Sequence, residues 1–145
     1  MILREHYMTQ IRPFYESDLI KVITGIRRCG KSVILKQVLK ELEDSGKKCL
    51  FLDFDLRPTR NAIPDADALI KYVEKHLGKQ KLYVVLDEIQ NVTAWNEAVR
   101  TLRLYNTSVF ITGSNSKLLS KEFTKELSGR YVSFRIRPFV SRKAK

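Results

Sequence analysis

Gly25-Ile26-Arg27-Arg28-Cys29-Gly30-Lys31-Ser32 has the spacing G-x-x-x-x-G-K-S. Residues of these types at this spacing suit the holding of phosphate. Glycines let backbone N–H groups wrap an anion, a lysine reaches the β- and γ-phosphates, and a serine hydroxyl can ligate Mg²⁺. A second pair, Asp87-Glu88, ends the apolar run Leu82-Tyr83-Val84-Val85-Leu86. An aspartate there can hold the Mg²⁺ shell, and a glutamate beside it can polarise an attacking water. The pair follows the loop by about 55 residues, the order in which phosphoryl-transfer sites use the two.

From these residues the expected nucleotide-binding set is Gly25, Ile26, Arg27, Arg28, Cys29, Gly30, Lys31, Ser32 and Val33. Ser32 and Asp87 are the expected metal ligands, and Lys31 and Glu88 the expected catalytic groups. The adjacent glutamate, with no Asn-Lys-x-Asp segment to read guanine, favours ATP over GTP. Ser114, with Asn115 close behind, stands where a polar residue ending a strand would sense the γ-phosphate. Arg130 is a candidate arginine finger, which is worth about 10³ to 10⁵ in rate where one operates; a structural ion pair is the alternative. Asp53 and Asp55 end a strand and read more readily as turn formers. His6 has no partner at metal-ligand spacing, and His76 suits a helix C-terminus. Cys29 reads as a loop-filling residue, because a reactive thiol needs a lowered pKa.

The phosphate loop needs a strand before it and a helix after it, and the chain supplies both. Lys21–Thr24 reads as the strand. Val33, Leu35, Val38, Leu39 and Leu42 recur at helical spacing until Asp44-Ser45-Gly46 stops them. Cys49–Asp55 is a second apolar strand, expected to be buried on both faces. A helix from Pro64 carries Leu69, Ile70, Val73 and Leu77 inward. After the third strand, Leu82–Glu88, Thr93 is the expected N-cap of a helix with Trp95, Val99, Leu102 and Leu104 as packing residues. A fourth strand, Ser108–Asn115, a helix through Leu118, Leu119, Phe123 and Leu127, and an alternating fifth strand, Tyr131–Arg137, complete the pattern. The N-terminal stretch, broken at Pro13, reads as a short helix or arm followed by a turn.

At 145 residues, with 43% apolar and 30% charged side chains, the chain has the size and composition of one folded domain and is excluded from the disordered class. The expected architecture is α/β, one sheet with helices on both faces. No stretch approaches the ~20 apolar residues of a membrane span and no signal-peptide core is present, so the expected location is cytoplasmic. The net charge of +11 invites a polyanion partner. Six of the basic residues (Arg130, Arg135, Arg137, Arg142, Lys143, Lys145) fall after residue 129 without an acid among them, so nucleic acid or a partner protein is expected, if anywhere, at that basic tail.

With these stretches in place the chain resembles the prokaryotic AAA-type ATPases whose N-terminal ATPase core is followed by a C-terminal domain of unknown function. The matching segments are Ile23–Ser32, Leu86-Asp87-Glu88-Ile89-Gln90 with Trp95 shortly after, Ile111–Ser116, and Leu127-Ser128-Gly129-Arg130. The similarity runs from about residue 8 to 139. It implies a three-layer αβα P-loop NTPase fold with five parallel strands in the order 5-1-4-3-2, and ATP bound with Mg²⁺. Lys31, Ser32, Asp87 and Glu88 match its motif positions, and Arg130 its Gly-Arg pair. On this basis residues 1–20 are an arm, 21–139 the ATPase core and 140–145 a basic tail. Members usually continue from Pro-Phe into a long second domain, whereas here Pro138-Phe139 runs into Val140-Ser141-Arg142-Lys143-Ala144-Lys145. The expectation is therefore a truncated product or fragment without a helical lid, with slow turnover, and a monomer is favoured. A binding module switched by ATP, with little or no turnover, is the alternative reading. A small-molecule kinase is third, since it lacks an evident acceptor site.

Overall fold

A computed structural model of the protein describes residues 4–25, 30–127 and 129–137. The expected loop residues Ile26, Arg27, Arg28 and Cys29, and the tail 140–145, lie outside the described residues. Five strands, β1 (Ile20–Thr24), β2 (Lys48–Asp53), β3 (Leu82–Asp87), β4 (Thr107–Gly113) and β5 (Tyr131–Arg135), form one sheet in the order β2-β3-β4-β1-β5. Read from its other edge this is 5-1-4-3-2, and every pairing is parallel. Parallel neighbours need crossovers, and the helices that supply them cover both faces.

The alternation of side chains along the central strands divides the interior in two. Val84, Leu86, Val109 and Ile111 point into one apolar cluster with Leu69 and Val73 of α4 (Ala66–Glu74), Val99 and Leu102 of α5 (Trp95–Arg103) and Phe123 of α7 (Lys121–Leu127). Ile23, Tyr83, Val85 and Phe110 point into the other, with Ile34, Val38 and Leu42 of α2 (Lys31–Asp44) and Met8 and Ile11 of α1 (Arg4–Ile11). The result is a three-layer αβα sandwich. Two short helices, α3 (Arg57–Ala62) and α6 (Asn115–Leu118), follow the carboxyl ends of β2 and β4.

Three expectations are corrected. β2 is an edge strand and not buried on both faces: Lys48 is exposed, and Phe51 keeps 43% of its surface at this edge of the sheet. The N-cap of α5 is Ala94 in left-handed backbone and not Thr93, whose carbonyl instead accepts a hydrogen bond from Ala66 N at 3.0 Å, tying α5 to α4. Leu104 packs on nothing in the core and is 77% exposed, since α5 has already ended at Arg103. No described helix is long and apolar enough to cross a membrane.

Candidate phosphate-binding site

The carboxyl ends of β1, β3 and β4 lie side by side, and a cleft of about 350 Å³ opens above them, lined by Gly25, Lys31, Asp55, Glu88, Gln90, Asn91 and Ser114. In open α/β sheets this is the end at which ligands collect. Gly30, at the N-cap of α2, has φ of 97°, a conformation open to glycine and costly for other residues. That turn brings the first turn of α2, whose N–H groups suit an anion, to the cleft.

Lys31 is the first residue of α2 and is 5% exposed. Its Nζ donates to Glu88 Oε2 at 2.6 Å and to the carbonyl of Gly25 at 3.4 Å. The ammonium therefore joins α2 to the ends of β1 and β3. Ser32 and Val33 are exposed on the same turn.

Asp87 closes β3 and is 9% exposed. Burial pushes its carboxyl pKa up from the usual value, with a hydrogen bond from the Thr112 hydroxyl and the charge of Lys31 working against the rise and Asp53 and Glu88 adding to it. A cation beside it would relieve that penalty. Glu88 leaves the strand with φ of 56°, an unusual conformation for a non-glycine residue and one that concentrates at functional sites. Its backbone N–H donates to Thr112 Oγ1 at 3.0 Å, and Gln90 Nε2 donates to its Oε1 at 2.7 Å. Thr112, one step beyond the Leu86–Ile111 register pair, thus holds both acidic residues.

Ser114 lines the cleft, and its Oγ is buried without a partner among the described residues; the same is true of Gln90 Oε1. Orphaned buried polar atoms are uncommon and call for a cause. Asn115 lies just behind, where its Oδ1 accepts from Thr24 Oγ1 at 3.4 Å and ties β4 to the end of β1. Asp53 Oδ1 accepts from Asp55 N at 2.9 Å, an ordinary turn-forming contact. Among the described residues no cluster of three or more His, Cys, Asp or Glu is arranged to hold a metal by itself. Ser32 and Asp87 offer hard oxygen donors, the kind that Mg²⁺ shares with phosphate and water.

Arg130, the candidate arginine finger just before β5, does not line this cleft. Its carbonyl accepts from Ile20 N at 3.2 Å, at the amino end of β1. With five residues of strand between Ile20 and Gly25, the two ends are about 16 Å apart at ~3.3 Å per residue. Arg130 instead lines a second hollow with Arg100, Arg103, Leu104, Glu126 and Leu127. Thr112 and Gln90 escaped the sequence reading. The first is detectable only once β3 and β4 are set in register. The second was legible as part of Asp-Glu-Ile-Gln but carried no assigned role.

Residues 17–144 match the model of the AAA domain family. The chain belongs to that family. It is 40% identical over 144 residues to an uncharacterized protein of Haemophilus influenzae, covering 95% of this chain and 36% of that protein. It is 38% identical over 121 residues to the uncharacterized protein MJ1544 of Methanocaldococcus jannaschii, covering 82% and 26%. The AAA chain therefore spans roughly a third of the length of one relative and a quarter of the other. Among solved structures, Caenorhabditis elegans PCH-2 superposes with a TM-score of 0.59 at 14% identity, covering 94% of this chain and 41% of that one. AMPPCP-bound DnaA from Aquifex aeolicus superposes at 0.55 and 15% identity, covering 93% and 45%. A DNA replication initiation factor does so at 0.57 and 15%, covering 92% and 44%. At these identities the likeness is one of fold, the AAA-type P-loop ATPase core.

Proposed function

We propose that the cleft binds ATP with Mg²⁺ and hydrolyses it. The observation that carries this reading is the meeting of Lys31 and Glu88 at 2.6 Å in the cleft. A phosphate-loop lysine and a strand-end carboxylate, 57 positions apart in the chain, converge where a γ-phosphate and its attacking water would stand. Lys31 would neutralise the β/γ-phosphate oxygens, and the first turn of α2 would donate N–H groups to them. Glu88 would orient the water and take its proton as the oxygen attacks the γ-phosphorus and the β–γ bridging P–O bond breaks, with ADP leaving. Ser114 Oγ would find its missing partner on the γ-phosphate or the water, with Asn115 behind it. Ser32 and Asp87 would hold Mg²⁺, which supplies neutralisation of the charge that develops on the phosphates. Positioning and electrostatics are the whole catalytic contribution that phosphoryl transfer asks of a protein. Any part played by Arg130 would fall on nucleotide held by a second copy, given its distance from its own cleft.

The test is a titration of Mg²⁺-ATP, against GTP and against Lys31→Ala, with phosphate release followed in the same samples. ATP binding that is lost in Lys31→Ala, together with phosphate release, is expected. Glu88→Gln should keep the binding and lower the release at least about 100-fold, the range of a lost general base. Release at the parent rate from Glu88→Gln would remove Glu88 from its role.

A second reading, in which ATP switches a binding surface with little turnover, is favoured by the hollow at the opposite end of the sheet, where Arg100, Arg103 and Arg130 gather beside exposed Leu104. Binding of DNA or RNA that falls steeply with salt and changes with ATP would support it. Salt-sensitive binding indifferent to ATP would reduce it to ordinary polyanion attraction.

A further inference from the structure

The hydrolytic reading gives no part to Gln90, a side chain of the cleft that bonds its catalytic carboxylate. Gln90 lies two residues beyond Glu88, in the single turn Ile89–Asn91, and lines the same cleft. Its Nε2 donates to Glu88 Oε1 at 2.7 Å, while Lys31 Nζ donates to Oε2 at 2.6 Å. The two oxygens of one carboxylate thus have different holders. The amide oxygen of Gln90 is buried without a partner among the described residues. It lies over Gly113 at the end of β4, where a Cβ would collide with it. Burying an acceptor without a partner costs free energy. The amide is therefore kept in this orientation against a penalty, and the bond to Glu88 is what it gains there.

Lys31 cannot serve carboxylate and phosphate equally. A γ-phosphate in the cleft carries more negative charge than one carboxylate oxygen and draws the ammonium away, so that Glu88 Oε2 loses its holder. We propose that Gln90 is a positioning residue for Glu88: its amide N–H keeps Oε1 fixed when Lys31 turns to the phosphate, and the released Oε2 is left facing the attacking water. Gln90 touches none of the reacting atoms and acts through Glu88 alone. Thr112 fixes the same residue from its other side, at the backbone N–H. Between them the left-handed Glu88 is pinned at both ends without using the oxygen that does the chemistry. Gly113 belongs to the same arrangement, since any side chain there would push the amide off its place.

The inference rests on the hydrolytic reading, and one set of measurements separates the two. ATP affinity and the single-turnover rate of phosphate release are measured with Mg²⁺ for the full chain, for Glu88→Gln, for Gln90→Met and for Gln90→Ala. Methionine keeps the length and removes the donor; alanine removes both. The expected result is affinity within about twofold of the parent and a rate lowered about 10- to 100-fold in both Gln90 variants, a part of the 10² to 10⁴ that a positioned general base supplies. A parent-like rate in Gln90→Met overturns the proposal while leaving the hydrolytic reading intact. So does a rate loss matched by an equal loss of ATP affinity, which would make Gln90 a binding residue. A parent chain that binds ATP and releases no phosphate overturns both. If thermal melting shows Gln90→Ala to be unfolded, Gln90→Met decides.

Discussion

Thr112 holds more of the cleft than its size suggests. Its hydroxyl donates to Asp87 Oδ1 and accepts from the Glu88 N–H, so one oxygen sets the two acidic residues relative to β4. Valine has nearly the same shape and lacks the hydroxyl. Thr112→Val should therefore leave the packing intact, strand the Glu88 N–H, and push the Asp87 carboxyl, already raised by burial, further in the same direction. The expected cost is about 2 kcal/mol in urea denaturation, the range for an unsatisfied buried donor, with phosphate release at least tenfold slower. Unchanged stability and release would show that both acids are held by their own strand. The candidate residues of the site were readable in the chain because spacing alone singles them out: Lys31 and Ser32 by the loop, Asp87 and Glu88 by the acids closing an apolar run. Thr112 was not readable, because its role depends on which residue of β4 lies beside Asp87, and that is fixed by sheet register. For Arg130 the sequence left an arginine finger and a structural ion pair both open, and its place at the end of the sheet away from the cleft is what the fold adds.

At the scale of elements, the turn that follows α1 is fastened to α2 through one carboxylate. Arg12 donates to Glu41 from Nε at 3.0 Å and from a terminal nitrogen at 2.7 Å, and Tyr15 and Gln37 add hydrogen bonds at 2.9 and 3.1 Å. These bonds, that from Arg12 foremost, hold the Glu41 pKa down to about 2 from 4.5. A carboxylate whose pKa is lower in the folded chain stabilises it above the unfolded value and ceases to do so as the pH falls through the folded one. The fastening should therefore be complete above about pH 4.5 and lost between there and about pH 2. Screening at this partly exposed pair limits its worth to about 1 kcal/mol. Glu41→Gln should lose that amount at pH 7, and the difference from the parent should vanish towards pH 2 in urea titrations; a difference that persists at pH 2 would trace to packing instead. The helical stripes of α2 and α4 were legible from periodicity, and the arm's short helix and turn from the break at Pro13. The edge position of β2 was not, since Cys49–Asp53 is as apolar as a central strand and only the strand order exposes one flank.

Across the whole molecule the most unusual feature lies far from the cleft. Lys21, on the central strand β1, is 0% exposed. Its Nζ donates to the Ser17 carbonyl at 2.6 Å and to Ser108 Oγ at 2.8 Å, and it stands 4.9 Å from the centre of the Phe110 ring. Ser108 in turn donates to the Tyr15 carbonyl at 2.7 Å. The ammonium thereby joins β1, β4 and the turn that carries the arm onto the sheet. Burial first, and the charge of Lys81 second, lower its pKa from 10.5 to about 7, against the attraction of Asp18 and Glu16. Above pH 7 the folded chain has given up this proton while the unfolded chain still holds it, so stability rises with pH. Groups that keep their proton longer in the folded chain oppose the rise at higher pH, among them Cys49, whose burial lifts its thiol from 9 to about 11, Tyr15 and Tyr83, both raised above the ordinary 10 by burial and by bonds to Glu41 and Glu16, and Tyr105, raised by its bond to Glu74. The clean window is pH 7 to 9. There the stability should climb by about 2 kcal/mol, at 1.36 kcal/mol per pH step for one proton, and Lys21→Met, which keeps the apolar stem and removes the charge, should show no such climb. Urea denaturation of the two proteins at pH 7, 8 and 9 checks this. Parallel curves would mean that Ser17, Ser108 and the Phe110 ring hold the ammonium charged throughout, and that the strand carries its buried cation at no pH-dependent cost.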